Sequence, residues 1–219
     1  MKKQIILLGA VLVHLAATFV SCCGKDDASA TATANNGSDA ITTIMQRKSV
    51  RSYTDEPIAD SVMESMLRAA VAAPSGMDIR PWHIVVMTDK SCYDTLFAGN
   101  FNMEKFKMSS AVVIFCADTT VTRPPRDNPD APAETRPNGL WRDDMGACVE
   151  NFLLAVEYYG LGAVWTACYP YHDRMDPIRD YLKLPGNVVP YAVVPVGSPA
   201  GNDQPKDKWD TSRIHFNRW

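Results

Sequence analysis

Apolar residues fall at helical spacing in some stretches of the chain and in short dense runs in others, and this contrast sets the expected elements. Ser38-Asp39 predicts the cap of a helix that presents Ile41, Ile44 and Met45. A second helix is expected from about Asp60, with Val62, Met66, Leu67, Ala70 and Val71 on one face. Ser61 and Glu64 stand at capping-box spacing there, and Pro74-Ser75-Gly76 ends the helix. Residues 82–87 (WHIVVM) and 111–117 (AVVIFCA) predict buried strands, with helical stretches at 92–97 and 103–107 between them. Residues 123–138 hold five of the chain's 15 prolines, which excludes a helix or a central strand and predicts an excursion loop. The longest helix is expected over 141–159, with Gly160 as its C-terminal cap. A strand at 162–167, a helix at 173–182 and a strand at 191–196 complete the pattern. Strands and helices alternate without a regular βα repeat. The expected class is therefore α+β, a mixed central sheet flanked by helices.

The first residues read differently. Met1-Lys2-Lys3 is a short basic start, and residues 5–20 carry no formal charge. The apolar run is shorter than the ~20 residues of a membrane-spanning helix and fits a secretory signal. Phe19-Val20-Ser21-Cys22 resembles a bacterial lipobox, with Phe where Leu is usual, which makes Cys22 the expected lipidation site. Residues 1–21 are thus expected to be a lipoprotein signal peptide. Residues 22–37, rich in Ala, Thr, Ser and Asn, are expected to be a flexible tether, and residues 38–219 the folded domain. The expected location is outside the cytoplasm, on a membrane to which the lipid holds the chain.

Composition narrows the function classes. The chain has 219 residues, 46% hydrophobic and 21% charged, the proportions of a globular protein. A net charge of −3 gives no overall positive field, so nucleic acid is not an expected partner. Six cysteines are too few for a disulfide scaffold. No G-x-S-x-G elbow, H-E-x-x-H or C-x-x-C pair is present, and the four histidines are scattered, so neither a catalytic nucleophile nor a metal site is expected. Gly160-Leu161-Gly162 follows a helix and precedes a strand, the reverse of a dinucleotide-binding loop. What stands out is Arg47-Lys48-Ser49-Val50-Arg51, three cations and a hydroxyl at a helix end, with a second basic pair at Lys206 and Lys208.

With residues 73–82 (APSGMDIRPW), Asp144-x-Gly146, Glu150-Asn151, Leu154, Gly160-Leu161-Gly162, Leu184-Pro185 and Val196-Gly197-x-Pro199, these clusters resemble the nitroreductase-like family of FMN flavoproteins from about residue 41 to Trp219. The resemblance implies an intertwined homodimer with one FMN in each of two interfacial clefts. It implies that Arg47, Lys48 and Ser49 contact the phosphate and ribityl chain, that Lys206 and Lys208 bind the phosphate, and that Arg51 lies by the pyrimidine edge of the flavin. Asn102 and Lys105 would contact the isoalloxazine, with Thr166 and Ala167 facing the ring. Pro74, Ser75, Gly76 and Asp78 would come from the partner subunit. The physical chemistry agrees, since several Arg and Lys donors suit a phosphate and a fixed cation near N1 favours the reduced flavin.

The implied activity is reduction of nitroaromatics, quinones or similar small-molecule acceptors by hydride transfer through flavin N5, with NAD(P)H as a candidate donor. Two other readings stay open at this stage: a non-catalytic flavin-binding carrier or sensor, and a related flavin reaction such as reductive dehalogenation. Asp78 and Arg80 replace the family's common Asn and Gln. Arg80 could neutralise Asp78 or donate to the cofactor in its stead, or the two could form a loop salt bridge that never touches the flavin. An acidic residue that some members of the family carry near N5 is replaced by Ala167, and Cys92, Cys116, Cys148 and Cys168 are expected in the core.

Overall fold

The computed structural model describes residues 39–99 and 101–219, so the signal and tether expectations, with Cys22, lie outside the described residues. Strand β2 (Ala111–Asp118) is central, and its sequence explains its place. It is apolar at every position from 111 to 117, so both its faces need cover. Ala111, Val113, Phe115 and Ala117 point into one core, and Val112, Ile114 and Cys116 into a second. Strand β1 (Trp82–Met87) pairs with one side of β2, and the later strand β7 (Val188–Gly197) with the other. At the start of β7's pairing a bulge leaves Tyr191 without a partner on β2, because Phe115 faces Ala192 while Cys116 faces Pro190.

Among the described residues, five helices cover the two faces. Helix α2 (Asp60–Val71) and helix α5 (Trp141–Tyr158) pack on the first face, where Met66, Ala70, Met145 and Phe152 are fully buried. The short helices α3 (Tyr93–Leu96) and α4 (Glu104–Met108), with α6 (His172–Leu182), cover the second through Tyr93, Phe97, Phe106 and Ile178. Helix α1 (Ala40–Gln46) lies against α5 and starts as expected, the Asp39 carboxylate accepting from Thr42 N at 2.7 Å. Gly160, at φ +69°, supplies the left-handed turn that ends the segment after α5.

The structure corrects several expectations. Helix α2 has Ala59 at its cap with no side-chain bond, because Glu64 is held by Arg68 one turn on instead of reaching back. Val71 is exposed. Strand β1 is a half-buried edge strand, since nothing pairs its outer side among the described residues. The proline-rich excursion is not all loop: β3 (Thr120–Arg123) and β4 (Glu134–Pro137) form a separate antiparallel ribbon, with prolines confined to its tip and end. The strand expected at 162–167 is divided into β5 (Gly162–Ala163) and β6 (Thr166–Ala167), both on β7 in one register. Pairing among these strands is antiparallel throughout rather than mixed.

Candidate active site

The basic cluster is fixed by its apolar neighbours. The chain leaves α1 at Arg47 and runs beside β5, where Val50 N donates to Ala163 O at 2.9 Å. Val50 is buried, and a side chain at Gly162 would meet its methyl groups at 2.7 Å, so glycine allows this close approach. The buried Tyr53 hydroxyl donates to Val50 O at 2.6 Å, with Pro195 O also within reach at 3.2 Å. With Val50 and Tyr53 anchored inward, Lys48, Ser49 and Arg51 are left at the surface of a cleft.

Two residues of the cluster have carboxylates behind them. Arg47 Nε stands 3.3 Å from Glu150, and Lys48 Nζ stands 3.0 Å from Glu157, both acids on α5. Arg51, Lys206 and Lys208 have no carboxylate within ion-pair distance among the described residues. All five cations line one cavity of about 360 Å³ with Ser49, Gln204 and a single acid, Asp203. That excess of donors fits an anionic group such as a phosphate.

A second cavity of about 330 Å³ adjoins the first and shares Arg51 with it. Its walls include Tyr53, Asn102, Lys105 and Met108. Lys105 Nζ donates to the buried Thr166 Oγ1 at 2.9 Å, and Arg174 Nη1 donates to Ala167 O at 2.8 Å. Thr166 is therefore brought to Lys105 and Ala167 to Arg174, though neither Thr166 nor Ala167 lines either cavity. The Lys105 ammonium is pushed below its ordinary pKa by burial, then by the charges of Arg51 and Arg174. The two cavities meet at Arg51, one rich in cations and the other flanked by Arg51 and Lys105. Such a donor set fits an anionic group at the first end and negative charge developing near Arg51 and Lys105.

The depressed Lys105 has a consequence for the ligand-free protein. The folded chain holds fewer protons there than the unfolded chain, so stability should rise as pH climbs from the depressed value towards the ordinary 10.5. Lys105→Met is expected to flatten that rise, read from urea unfolding at stepped alkaline pH. An unchanged slope would show that Lys105 ionises freely.

The remaining predicted residues lie elsewhere in the chain. Pro74, Ser75, Gly76 and Asp78 line neither cavity. Gly76 N donates to the buried carboxylate of Asp144 at 2.7 Å, which ties the loop to the start of α5. Arg80 N donates to Ser75 Oγ at 3.0 Å, and Met77, Asp78 and Arg80 all take positive φ near +55°. Both Asp78 oxygens are taken by the Arg80 guanidinium, which also holds the Asp78 carboxyl below its usual pKa. The loop salt bridge is thus the arrangement present within one chain. Sequence reasoning missed Arg174 and the pairing roles of Glu150 and Glu157, whose partners lie far off in the chain.

A model of the nitroreductase family matches residues 44–198. A Methanothermobacter thermautotrophicus protein assigned as an NADH dehydrogenase/NAD(P)H nitroreductase is 32% identical over 181 residues, covering 83% of this chain and 88% of its own. The oxygen-insensitive NADPH nitroreductase of Salmonella typhimurium is 28% identical, over 83% of this chain and 75% of its own. Among solved structures, a Bacteroides thetaiotaomicron protein, also assigned as an NADH dehydrogenase/NAD(P)H nitroreductase, superposes with a TM-score of 0.72 at 38% identity. It covers 84% of this chain and all of that one.

Proposed function

Since this chain belongs to the nitroreductase family, we propose that it is an FMN-dependent oxidoreductase that draws electrons from NAD(P)H and passes them to nitroaromatic, quinone or similar small acceptors. The observation that carries this reading is the pair of cavities joined at Arg51, cationic at one end and flanked by Arg51 and Lys105 at the other. When bound, FMN supplies hydride transfer at N5, which is why a site without a nucleophile suffices.

The chain's own residues bind and tune. Arg47, Lys48, Ser49, Lys206 and Lys208 hold the phosphate and ribityl chain. Arg51 and Lys105 set positive charge beside the pyrimidine edge, where it favours the reduced form, and Asn102 contacts the ring. Thr166 accepts from Lys105 and so fixes where that charge lies.

The reading includes a second copy of the chain, which brings Pro74, Ser75, Gly76 and Asp78 to the cofactor of the first. Supporting this, Ile41, Ile44 and Met45 of α1 are exposed beside an apolar cavity of about 570 Å³ walled by α1, α2 and α5. Trp209, Phe216 and Trp219 of the C-terminal segment are also exposed. Large exposed apolar side chains gathered on one face mark an interface.

The purified protein is expected to be a yellow dimer that releases FMN, not FAD, on denaturation and is bleached by NADH or NADPH without oxygen. Light scattering, chromatography of the released flavin and the absorbance trace check this. A flavin-loaded monomer would contradict the dimer, and a colourless protein that FMN does not restore would contradict the cofactor. We further propose export and lipid anchoring at Cys22. Acyl labelling that disappears in Cys22→Ala would support it, and an unlabelled wild-type protein in the cytoplasm would refute it.

A further inference from the structure

We propose that Arg123 and Arg126, on the β3–β4 ribbon, form an acceptor pocket that selects anionic aromatic substrates, a specificity that rests on the flavoenzyme reading above. The ribbon and Met77 of the 75–80 loop border an open surface pocket of about 380 Å³ lined by Met77, Arg123, Pro124, Pro125, Arg126 and Pro129. Its chemistry is unlike that of the cofactor cleft. Three prolines and a thioether offer flat apolar surface, and the only charged groups on its walls are two guanidinium ions. Neither arginine has a carboxylate within ion-pair distance among the described residues, although Glu134 stands opposite Arg123 across the ribbon and Asp127 and Asp130 lie close in sequence. Their charge is left for a ligand. A planar guanidinium matches a carboxylate or sulfonate, and the proline faces suit an aromatic ring.

The pocket is built on a held frame. Thr122 and Thr135 hydroxyls meet across the ribbon at 2.7 Å, and Asn138 N donates to Thr119 O at 2.8 Å where the ribbon returns to the domain. Prolines fix φ along the tip, which lowers the ordering cost of binding. The Arg123 guanidinium contacts the Met77 sulfur, so the ribbon leans on the same loop that carries Ser75, Gly76 and Asp78. On the dimer reading that loop reaches the cofactor of the other subunit. On that reading an acceptor held against Met77 would lie on the loop that borders the cofactor.

The test compares 4-nitrobenzoate with neutral 4-nitrobenzyl alcohol as acceptors for wild type, Arg123→Ala, Arg126→Ala and the double variant. For the double variant, kcat/KM for 4-nitrobenzoate is expected to fall at least tenfold while that for the alcohol changes less than threefold. FMN content and the rate of reduction by NAD(P)H should be unchanged. Arg126→Lys should recover part of the loss, because it restores charge without the planar fork. Equal losses on both acceptors, or none on either, would overturn the proposal. Calorimetric titration with 4-nitrobenzoate gives a readout that does not need turnover. Binding by wild type that the double variant lacks supports the pocket, and equal heats in both, or none in either, overturn it. Wild type that reduces neither acceptor but binds 4-nitrobenzoate through these arginines would sink the acceptor specificity of the enzyme reading and leave the anion pocket standing.

Discussion

Arg47→Ala is expected to weaken FMN binding by about 1.5–3 kcal/mol, the cost of losing a charge-assisted hydrogen bond, or about 10- to 150-fold in Kd. The Arg47 side chain is mostly buried and held by Glu150 at 3.3 Å, so it meets a phosphate already oriented. Its removal also leaves Glu150 without its cation and adds a repulsive charge near the cleft. Arg47→Lys keeps the charge but loses the planar fork, and should cost less. Arg51→Ala should behave differently. Its charge sits where the two cavities meet, so its loss should mainly lower the flavin reduction potential. Quenching of FMN fluorescence on titration reads the first effect, and equilibration with redox dyes reads the second. If both variants bind FMN normally at unchanged potential, the cluster is only a solvated basic surface.

Phe152→Ala should destabilise the domain by about 3–5 kcal/mol, the cost of emptying a large core site. Phe152 is fully buried and meets Phe115 edge to face, their ring centroids 5.4 Å apart, between α5 and the central strand. The same helix carries Asp144, Glu150 and Glu157, which hold the 75–80 loop, Arg47 and Lys48. Loosening α5 should therefore weaken flavin binding as well as stability. Phe152→Leu refills most of the volume and should lose less on both counts. Urea midpoints of the ligand-free proteins, alongside FMN titrations, check the linkage. A loss of stability with flavin affinity intact would show that the site does not depend on α5.

The sheet was legible where burial is two-sided. Residues 111–117 are apolar at every position, and the only arrangement that hides both faces is a central strand under helices on each side. The long helix and its glycine stop were legible for the same local reasons. The ribbon was not, because prolines at 124, 125, 129, 132 and 137 hide two four-residue strands whose partners are each other rather than the core. The capping box failed because Glu64 had a better partner in Arg68, a choice that spacing alone does not decide. At the site, Arg47, Lys48, Ser49 and Arg51 could be read as a unit because they are contiguous. That Lys206 and Lys208 close the same cavity depends on the path of the C-terminal segment. Arg174 left no sequence signal at all. It acts through Ala167 O and through its field on Lys105, and both contacts exist only in the folded chain.

The central claim is that the cationic cavity at Arg47, Lys48, Lys206 and Lys208 holds the phosphate of FMN. Titration of the ligand-free protein with FMN and, separately, with riboflavin tests it most directly, because the two differ only in that phosphate. FMN should bind at least a hundredfold more tightly, about 2.7 kcal/mol, and the difference should shrink in the Lys206→Ala/Lys208→Ala double variant. Equal affinities for FMN and riboflavin in the wild-type protein would contradict the account.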